Sequence, residues 1–186
     1  MEDSIYDEFV ERSVERAKVR TVGDPFDARN EQGPQVDEEQ MAKILSLIDS
    51  GKKEGAKLVT GGARHGDRGY FVQPTLIEGL DHRCVTNREE IFGPCCHVRA
   101  FDDEDEVVAL ANDTEYGLAA ALWTENVSRA HRVAARLEAG ITWVNSWFLR
   151  DLRTPFGGMK QSGIGREGGE YSLEFYTETK NICVKL

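Results

Sequence analysis

The 186-residue sequence has no apolar run that approaches the roughly 18 residues of a membrane-spanning helix. Its first residues, MEDSIYDEF, are acidic and lack the apolar stretch of a secretory signal. Basic residues are in deficit as well, since 23 Lys and Arg face 33 Asp and Glu and leave a formal net charge of -10. Nucleic acids and anionic membranes attract basic surfaces, so neither is expected as a partner.

Cysteine is scarce, and the four residues are Cys84, Cys95, Cys96 and Cys183. They are too few for a disulfide framework, and without an export signal they predict reduced thiols in the cytoplasm. Nearby arginines favour a lowered pKa for the Cys84 thiol, but nothing else there resembles an acyl-transfer site, so a passive surface thiol is the preferred interpretation. The four histidines have no metal-ligand spacing, and no metal site is expected.

The sequence is rich in alternating helix and strand patterns. The clearest helix covers residues 37–55, where Met41, Ile44, Leu45 and Ile48 repeat with helical spacing. Strands and helices at this spacing predict an α/β fold with a mostly parallel twisted sheet flanked by helices. The predicted helices are 3–20, 37–55, 102–112, 126–139 and 170–176, and the predicted strands are 57–60, 97–101, 119–123, 141–144 and 181–186, the last with Cys183 as a packing residue. Pro74 interrupts the β-prone run 70–77, which is interpreted as irregular or as an edge strand.

A glycine-rich segment, residues 154–169, has few apolar residues. It is predicted to be a loop, in which the glycines serve the backbone, rather than an element of the core. It contains Gly163, Gly165 and Gly168 in a formal G-x-G-x-x-G pattern. The dinucleotide fingerprint requires an apolar strand directly before the first glycine, and none is predicted here. A phosphate-binding loop is therefore disfavoured at this segment.

Two further motifs offer binding chemistry. In Glu89–Pro94, Glu90 can accept hydrogen bonds from the hydroxyls of a ribose and Phe92 can support a flat ring, although spacing alone favours a helix end with a core Phe. In Trp143–Arg153, large aromatics such as Phe148 are costly on an open surface, and Arg150 and Arg153 can offer forked donors to a carboxylate. The alternative for the arginines is a pair of surface salt bridges with Asp151 or other acids.

These motifs, together with others in the same order, resemble the C-terminal part of an NAD(P)-dependent aldehyde dehydrogenase. The segments that carry the resemblance are Gly23–Pro25, Gly51–Lys57, Gly69–Thr75, Glu89–Pro94, Asn112–Ala120, Pro155–Glu167 and Tyr176–Lys180. The stretch Trp147–Gly158 looks most like the branch that acts on 2-hydroxymuconic or 2-aminomuconic semialdehyde. The resemblance implies an aldehyde dehydrogenase-like catalytic domain over residues 1–161, a glycine-rich return segment with a short helix over 162–176, and an oligomerisation strand over 177–186.

The resemblance also implies cofactor contacts, with NAD favoured over NADP. Glu90 is expected to bind the nicotinamide ribose, and Phe92 is expected to pack beside the nicotinamide. Gln40 and Lys43 align, less securely, with residues that reach the adenosine ribose. This chain alone is expected to bind the cofactor weakly or not at all.

On the substrate side, the resemblance places Phe156 in the wall of the aldehyde tunnel, with Phe148 and Arg153 nearby. Arg150 falls where related enzymes place a pocket aromatic, so it is preferred over Arg153 as the group that binds a substrate carboxylate. Glu167 is expected behind the site, as a supporting or proton-relaying carboxylate. Arg166 and Glu178 are expected to support the subunit interface, with the last strand pairing in a homo-oligomer.

In this family a cysteine thiolate attacks the aldehyde and a glutamate activates the hydrolytic water. The sequence is expected to begin beyond that cysteine, and none of its four cysteines aligns with the nucleophile. We therefore expect part of a dehydrogenase for a carboxylate-bearing semialdehyde, without turnover by the chain alone. The alternative is a catalytically inactive domain that acts only in assembly with other subunits.

Overall fold

The computed structural model describes all residues, Met1–Leu186, and they form two compact units, residues 1–102 and 103–186. Both units combine helices with short strands, which confirms the α/β class. The strands form three small sheets, and two of the four strand pairings are parallel. None of the helices is both long enough and apolar enough to cross a membrane.

The first unit contains a three-stranded sheet with three α-helices. After a 3-10 turn over Asp3–Ile5, its elements are α1 (Tyr6–Val19), α2 (Glu38–Lys53), β1 (Lys57–Thr60), β2 (Thr75–Glu78), α3 (Val85–Arg88) and β3 (Cys95–Val98). Strand β2 lies in the middle, antiparallel to β1 and parallel to β3. The helices predicted over 3–20 and 37–55 are thus present, each with slightly shorter bounds.

Helix α2 supplies much of the core of the first unit. The Asp37 side chain accepts a hydrogen bond from the backbone N–H of Gln40 at 2.8 Å, which satisfies a free donor at the helix start. The buried stripe of α2 packs with Val72 and consists of Met41, Ile44 and Ile48. Each such side chain contributes about 1.5–3 kcal/mol by leaving water, so this face fixes the helix on the unit.

Strand β2 differs from the prediction of an irregular or edge segment. Its first three residues are buried, and it has a neighbouring strand on both sides. The proline does not disrupt the sheet because the strand begins just after it, where the Thr75 N–H donates to the Pro94 carbonyl at 2.8 Å. Pro74 therefore ends the preceding irregular stretch and leaves the hydrogen bonds of the sheet intact.

Cys84 is also buried, with 8% of its surface exposed, and packs with Ile77 and Leu80. The interpretation of Cys84 as a surface thiol was therefore wrong. Its polar neighbours in the sequence hid this position, because the chain turns between Leu80 and α3 and directs the sulfur into the core.

The second unit contains two small sheets and three helices. Its elements are α4 (Glu104–Asn112), β4 (Tyr116–Gly117), β5 (Ala119–Leu122), α5 (Val127–Ala134), β6 (Ile141–Val144), β7 (Met159–Lys160) and α6 (Gly169–Tyr176). Strands β5 and β6 are parallel and joined through α5, as predicted, although α5 ends at Ala134, before the predicted end at residue 139; β4 and β7 are antiparallel. The predicted loop over 154–169 thus contains one very short strand.

A close approach of two backbones explains part of the glycine content of the second unit. A Cβ atom on Gly140 would lie 1.6 Å from the carbonyl oxygen of Gly157, which no side chain can accommodate. The segment before β6 therefore lies directly against the glycine-rich segment. This contact gives a structural reason for the glycines that the sequence pattern assigned to the backbone.

The last ten residues, 177–186, form no strand with the rest of the chain and are exposed throughout. The predicted strand over 181–186 is therefore not paired within the chain, and Cys183 is exposed rather than packed. Pairing of this segment with another subunit stays a prediction.

A polar cluster fastens α1 to the sheet of the first unit. The Tyr6 hydroxyl donates to Glu78 Oε2 at 2.9 Å, and Lys57 Nζ donates to Glu78 Oε1 at 2.5 Å. Burial, followed by the bond to Glu78, raises the pKa of Tyr6 to about 12. The hydrogen bond from Lys57 lowers the pKa of the Glu78 carboxyl, with a smaller contribution from Tyr6.

This cluster predicts a pH-dependent contribution to stability. Because the pKa of Glu78 is lowered in the folded state, its stabilisation is present above the unfolded value of about 4 and is lost as pH falls through the folded value. The free energy of unfolding, from urea titrations followed by circular dichroism, should therefore fall less steeply between about pH 5 and pH 3 in Glu78→Gln than in the wild type. Tyr6→Phe should lower it by about 1 kcal/mol at neutral pH. Identical pH profiles for Glu78→Gln and the wild type would contradict this role.

Candidate functional site

The candidate cofactor residues of the first unit meet at the segment Glu89–Pro94, here called the 89–94 loop. It connects α3 to β3 and lies against α2. A Cβ atom on Gly93 would lie 2.4 Å from the end of the Ile44 side chain, so a glycine lets the loop rest directly on the helix. The loop is therefore supported by a buried face and is placed at the start of a strand, where rigid scaffolds commonly present binding residues.

Phe92 has the most unusual geometry in the 89–94 loop. Its backbone is left-handed, with φ of 53°, and its side chain is 71% exposed in this chain. The core-Phe alternative is thus wrong, and the ring is presented outward. A left-handed non-glycine residue is sparsely populated and persists only when its surroundings hold it.

The side-chain amide of Gln40 stabilises the left-handed backbone of Phe92. Its Nε2 donates to the Ile91 carbonyl at 3.1 Å and to the Phe92 carbonyl at 3.0 Å. The sequence resemblance pointed instead to an adenosine ribose, so this contact was missed. Lys43 is exposed three residues further along α2, on the same side of the helix, and Glu90 is exposed within the loop.

The second unit presents the substrate-side candidates after strand β6. Trp143 is buried at the strand, and its indole N–H donates to the Leu149 carbonyl at 2.7 Å. Its ring also contacts those of Trp147 and Phe148, with centroids 5.1 Å and 6.2 Å away. Trp143 therefore anchors the segment that leads to Arg150, a role that no sequence pattern identified because the bond is to a backbone carbonyl.

The outer aromatics of this segment are exposed despite their contacts with Trp143. Trp147 is 65% and Phe148 is 67% exposed, and the Phe148 backbone is left-handed, with φ of 57°. The expectation that such rings avoid an open surface is not met within this chain. A contiguous exposed apolar surface of this kind is typical of a face that another protein segment or a ligand covers.

Arg150, Phe156 and Glu167 lie together in the second unit, here called the Arg150 cluster. The guanidinium carbon of Arg150 lies 3.9 Å from the centroid of the Phe156 ring, and Nη2 donates to Glu167 Oε1 at 2.8 Å. Phe156 and Glu167 are themselves joined by two backbone hydrogen bonds of 2.8 Å. A planar cation over an aromatic ring is restricted in orientation and retains further N–H donors for a ligand.

Arg153 is placed differently from Arg150. Its Nε donates to both Asp151 oxygens, at 2.9 Å and 3.1 Å, and the bond lowers the pKa of the Asp151 carboxyl. This is the salt bridge that was considered as an alternative in the sequence, so Arg153 is already occupied by a neighbouring acid. Arg166 serves the backbone, since its Nη1 donates to the Gly158 and Gly165 carbonyls at 2.8 Å and 2.7 Å. Glu178 is exposed in the unpaired last segment.

The remaining nucleophilic and ligating groups form no second site. Burial raises the pKa of the Cys95 thiol to about 11, and desolvation raises that of Cys96 as well. Burial lowers the pKa of His97, whose Nε2 is enclosed without a hydrogen-bond partner. No group of three His, Cys, Asp or Glu side chains is arranged to hold a metal ion.

Comparisons with known proteins place these features in one family. The model of the family described as "Aldehyde dehydrogenase family" matches residues 1–182. The chain is 56% identical over 191 residues to 2-hydroxymuconic semialdehyde dehydrogenase of Pseudomonas sp. (strain CF600), covering 100% of this chain and 39% of that protein. It is 51% identical over 186 residues to the mitochondrial aldehyde dehydrogenase of Homo sapiens, covering 100% of this chain and 36% of that protein.

A solved structure agrees with this assignment. The NAD+ complex of an aldehyde dehydrogenase from Bacillus cereus superposes with a TM-score of 0.93 at 42% identity, covering 95% of this chain and 36% of that one. The chain thus spans well under half the length of the relatives it matches. Sequence, fold and family model agree that the chain belongs to the aldehyde dehydrogenase family.

Proposed function

We propose that this chain supplies one wall of the nicotinamide site and one wall of the substrate site of an aldehyde dehydrogenase for a carboxylate-bearing semialdehyde of the muconic type. In the overall reaction the aldehyde carbon loses a hydride to the cofactor and gains an oxygen from water, giving a second carboxylate. The observation that carries the substrate class is the Arg150 guanidinium stacked on Phe156. The name of the Pseudomonas relative, 2-hydroxymuconic semialdehyde dehydrogenase, supports the same class.

Recognition of the substrate follows from the chemistry of the Arg150 cluster. A guanidinium offers paired N–H donors that match the two oxygens of a carboxylate, and stacking on Phe156 limits the directions in which those donors point. Phe156 and the exposed Phe148 provide apolar surface suited to a flat conjugated chain. Arg153 is a weaker candidate because Asp151 accepts three hydrogen bonds from its guanidinium, whereas Glu167 accepts one from that of Arg150.

The 89–94 loop fits the proposed nicotinamide cofactor, which accepts the hydride when bound. Phe92 presents an exposed ring on a backbone that Gln40 fixes, and Glu90 presents an exposed carboxylate two residues earlier. We assign Glu90 to the ribose hydroxyls and Phe92 to the nicotinamide, with Lys43 toward the adenosine ribose. Gln40 acts in this proposal mainly by holding Phe92. The NAD+ complex of the Bacillus cereus relative favours NAD as the cofactor.

We further propose that residues 177–186 pair with another subunit in a homo-oligomer of the cytoplasm. Ile182 and Val184 are 72% and 71% exposed, which leaves apolar side chains and unpaired backbone groups available to a partner. Arg166 would stabilise the glycine-rich segment that precedes this strand, and Glu178 lies at its start. All four cysteines are free, as in proteins of a reducing compartment.

The second candidate function is that of a domain that acts only in assembly with other subunits. On this proposal the chain by itself has no dehydrogenase turnover. Cys84 is buried, and the raised pKa values of Cys95 and Cys96 keep their thiols protonated and poorly nucleophilic. Cys183 lies in the exposed last segment, and none of the four cysteines aligns with the family's nucleophile. We therefore propose that the thiolate of the family reaction comes from a cysteine outside these residues.

A chimera tests both candidates. In it, this chain replaces the segment of the Pseudomonas relative that aligns with it. We expect NADH formation at 340 nm from 2-hydroxymuconic semialdehyde by the chimera, and none by the 186-residue chain at equal concentration. NADH formation by the chain alone would refute the need for an outside cysteine. A folded, oligomeric chimera without activity would contradict the dehydrogenase proposal.

The substrate class predicts a selective effect of Arg150→Ala in the same chimera. Loss of a charge-assisted hydrogen bond should raise KM about tenfold or more for the acidic semialdehyde, and by less than about threefold for sorbaldehyde, a neutral conjugated dienal. Arg153→Ala removes the same charge and should have a smaller effect on the acidic substrate. Equal increases in KM for the acidic and neutral aldehydes would exclude Arg150 as the carboxylate-binding group.

A further inference from the structure

The Arg150 cluster contains a carboxylate of the protein itself in the position where a substrate carboxylate would bind. Glu167 Oε1 accepts the hydrogen bond from Arg150 Nη2 at 2.8 Å. This geometry is the one that an acidic ligand of Arg150 would adopt. A substrate carboxylate that uses the paired donors of this guanidinium therefore requires the Nη2 donor that Glu167 occupies.

The backbone of Glu167 is held by hydrogen bonds, whereas its side chain is largely exposed. Its N–H and carbonyl are both paired with Phe156, so its Cα cannot move away from Phe156, over which Arg150 lies, without breaking two hydrogen bonds. Its side chain is nevertheless 57% exposed, whereas that of Arg150 is 28% exposed. The carboxylate can thus rotate into water and leave the guanidinium on Phe156, available to another anion.

We infer that Glu167 is an internal competitor for Arg150 and thereby determines how strongly the site selects acidic over neutral aldehydes. When no acidic substrate is present, Glu167 pairs with Arg150 and keeps its charge compensated. An acidic substrate takes over the guanidinium and releases the Glu167 carboxylate. This inference rests on the proposed function, because it assumes that Arg150 binds the substrate carboxylate.

The exposure of the Arg150–Glu167 ion pair limits how much Glu167 can weaken the binding of an acidic ligand. Ion pairs between partly exposed side chains are weak, and removal of such a competitor corresponds to a change of about two- to fivefold in a dissociation constant. A larger change would require a buried pair. Glu167 therefore adjusts the selectivity of the site, while Arg150 creates it.

Binding of sorbate, a conjugated carboxylate without an aldehyde group, to the 186-residue chain tests this inference. The probe is titrated into the 15N-labelled chain, and the dissociation constant is read from backbone amide shifts near Phe156. Glu167→Gln should bind sorbate about two- to fivefold more tightly than the wild type. Glu170→Gln makes the same change of net charge at an exposed site in α6 and should bind like the wild type.

Arg150→Met distinguishes a failure of carboxylate binding by Arg150 from a failure of the competition by Glu167. If Arg150→Met binds sorbate as the wild type does, or if no variant binds it, Arg150 is not a carboxylate site and both the proposed recognition and the inference fail. If Arg150→Met weakens binding but Glu167→Gln does not tighten it, only the competition by Glu167 is wrong. Equal tightening by Glu167→Gln and Glu170→Gln would reduce the effect to net charge and overturn the inference as well. Amide spectra of each variant establish that it remains folded.

Discussion

Two backbone hydrogen bonds between Phe156 and Glu167 hold together the part of the second unit on which the proposed substrate recognition depends. They fix an aromatic ring and a carboxylate at one place, and Arg150 completes the cluster by stacking on the ring and donating to the carboxylate. Arg150 reaches this position because Trp143, buried at the end of β6, holds the Leu149 carbonyl. An isolated β-bridge thus orients a flexible cation through its neighbours, which would lower the conformational cost of binding the proposed ligand.

The first unit uses a similar arrangement for a different group. A side chain on α2, Gln40, donates to two carbonyls of the 89–94 loop and supports the left-handed backbone of Phe92. In both units a residue on a regular element binds the backbone of an adjoining loop, and the loop then presents the side chain that we propose contacts a ligand. This division explains why the scaffold can be shared across a family while loop residues determine what is bound.

The hydrophobic periodicity of the sequence correctly predicted several helices and strands. The apolar stripe of α2 and the β5–α5–β6 unit were predicted because they bury one face each. Strand β2 was misassigned because Pro74 precedes it directly, and the segment predicted as the last strand, residues 181–186, forms no strand within this chain. The resemblance placed Arg150, Phe156 and Glu167 on the substrate side, but only the fold shows that the guanidinium lies over the Phe156 ring and pairs with Glu167. The contacts of Gln40 and Trp143 could not be predicted, since a bond to a backbone carbonyl leaves no pattern in side-chain types.

The proposed substrate recognition depends most directly on the position of the Arg150 guanidinium over Phe156. Nuclear magnetic resonance of the 186-residue chain measures it through the ring-current shift of the Arg150 δ protons. A side chain that lies 3.9 Å from the ring centroid predicts a clear upfield shift, which disappears in Phe156→Leu. Arg150 δ protons that resonate with those of the other arginines, and do not respond to Phe156→Leu, would show that the guanidinium is not held on the ring and would contradict the account.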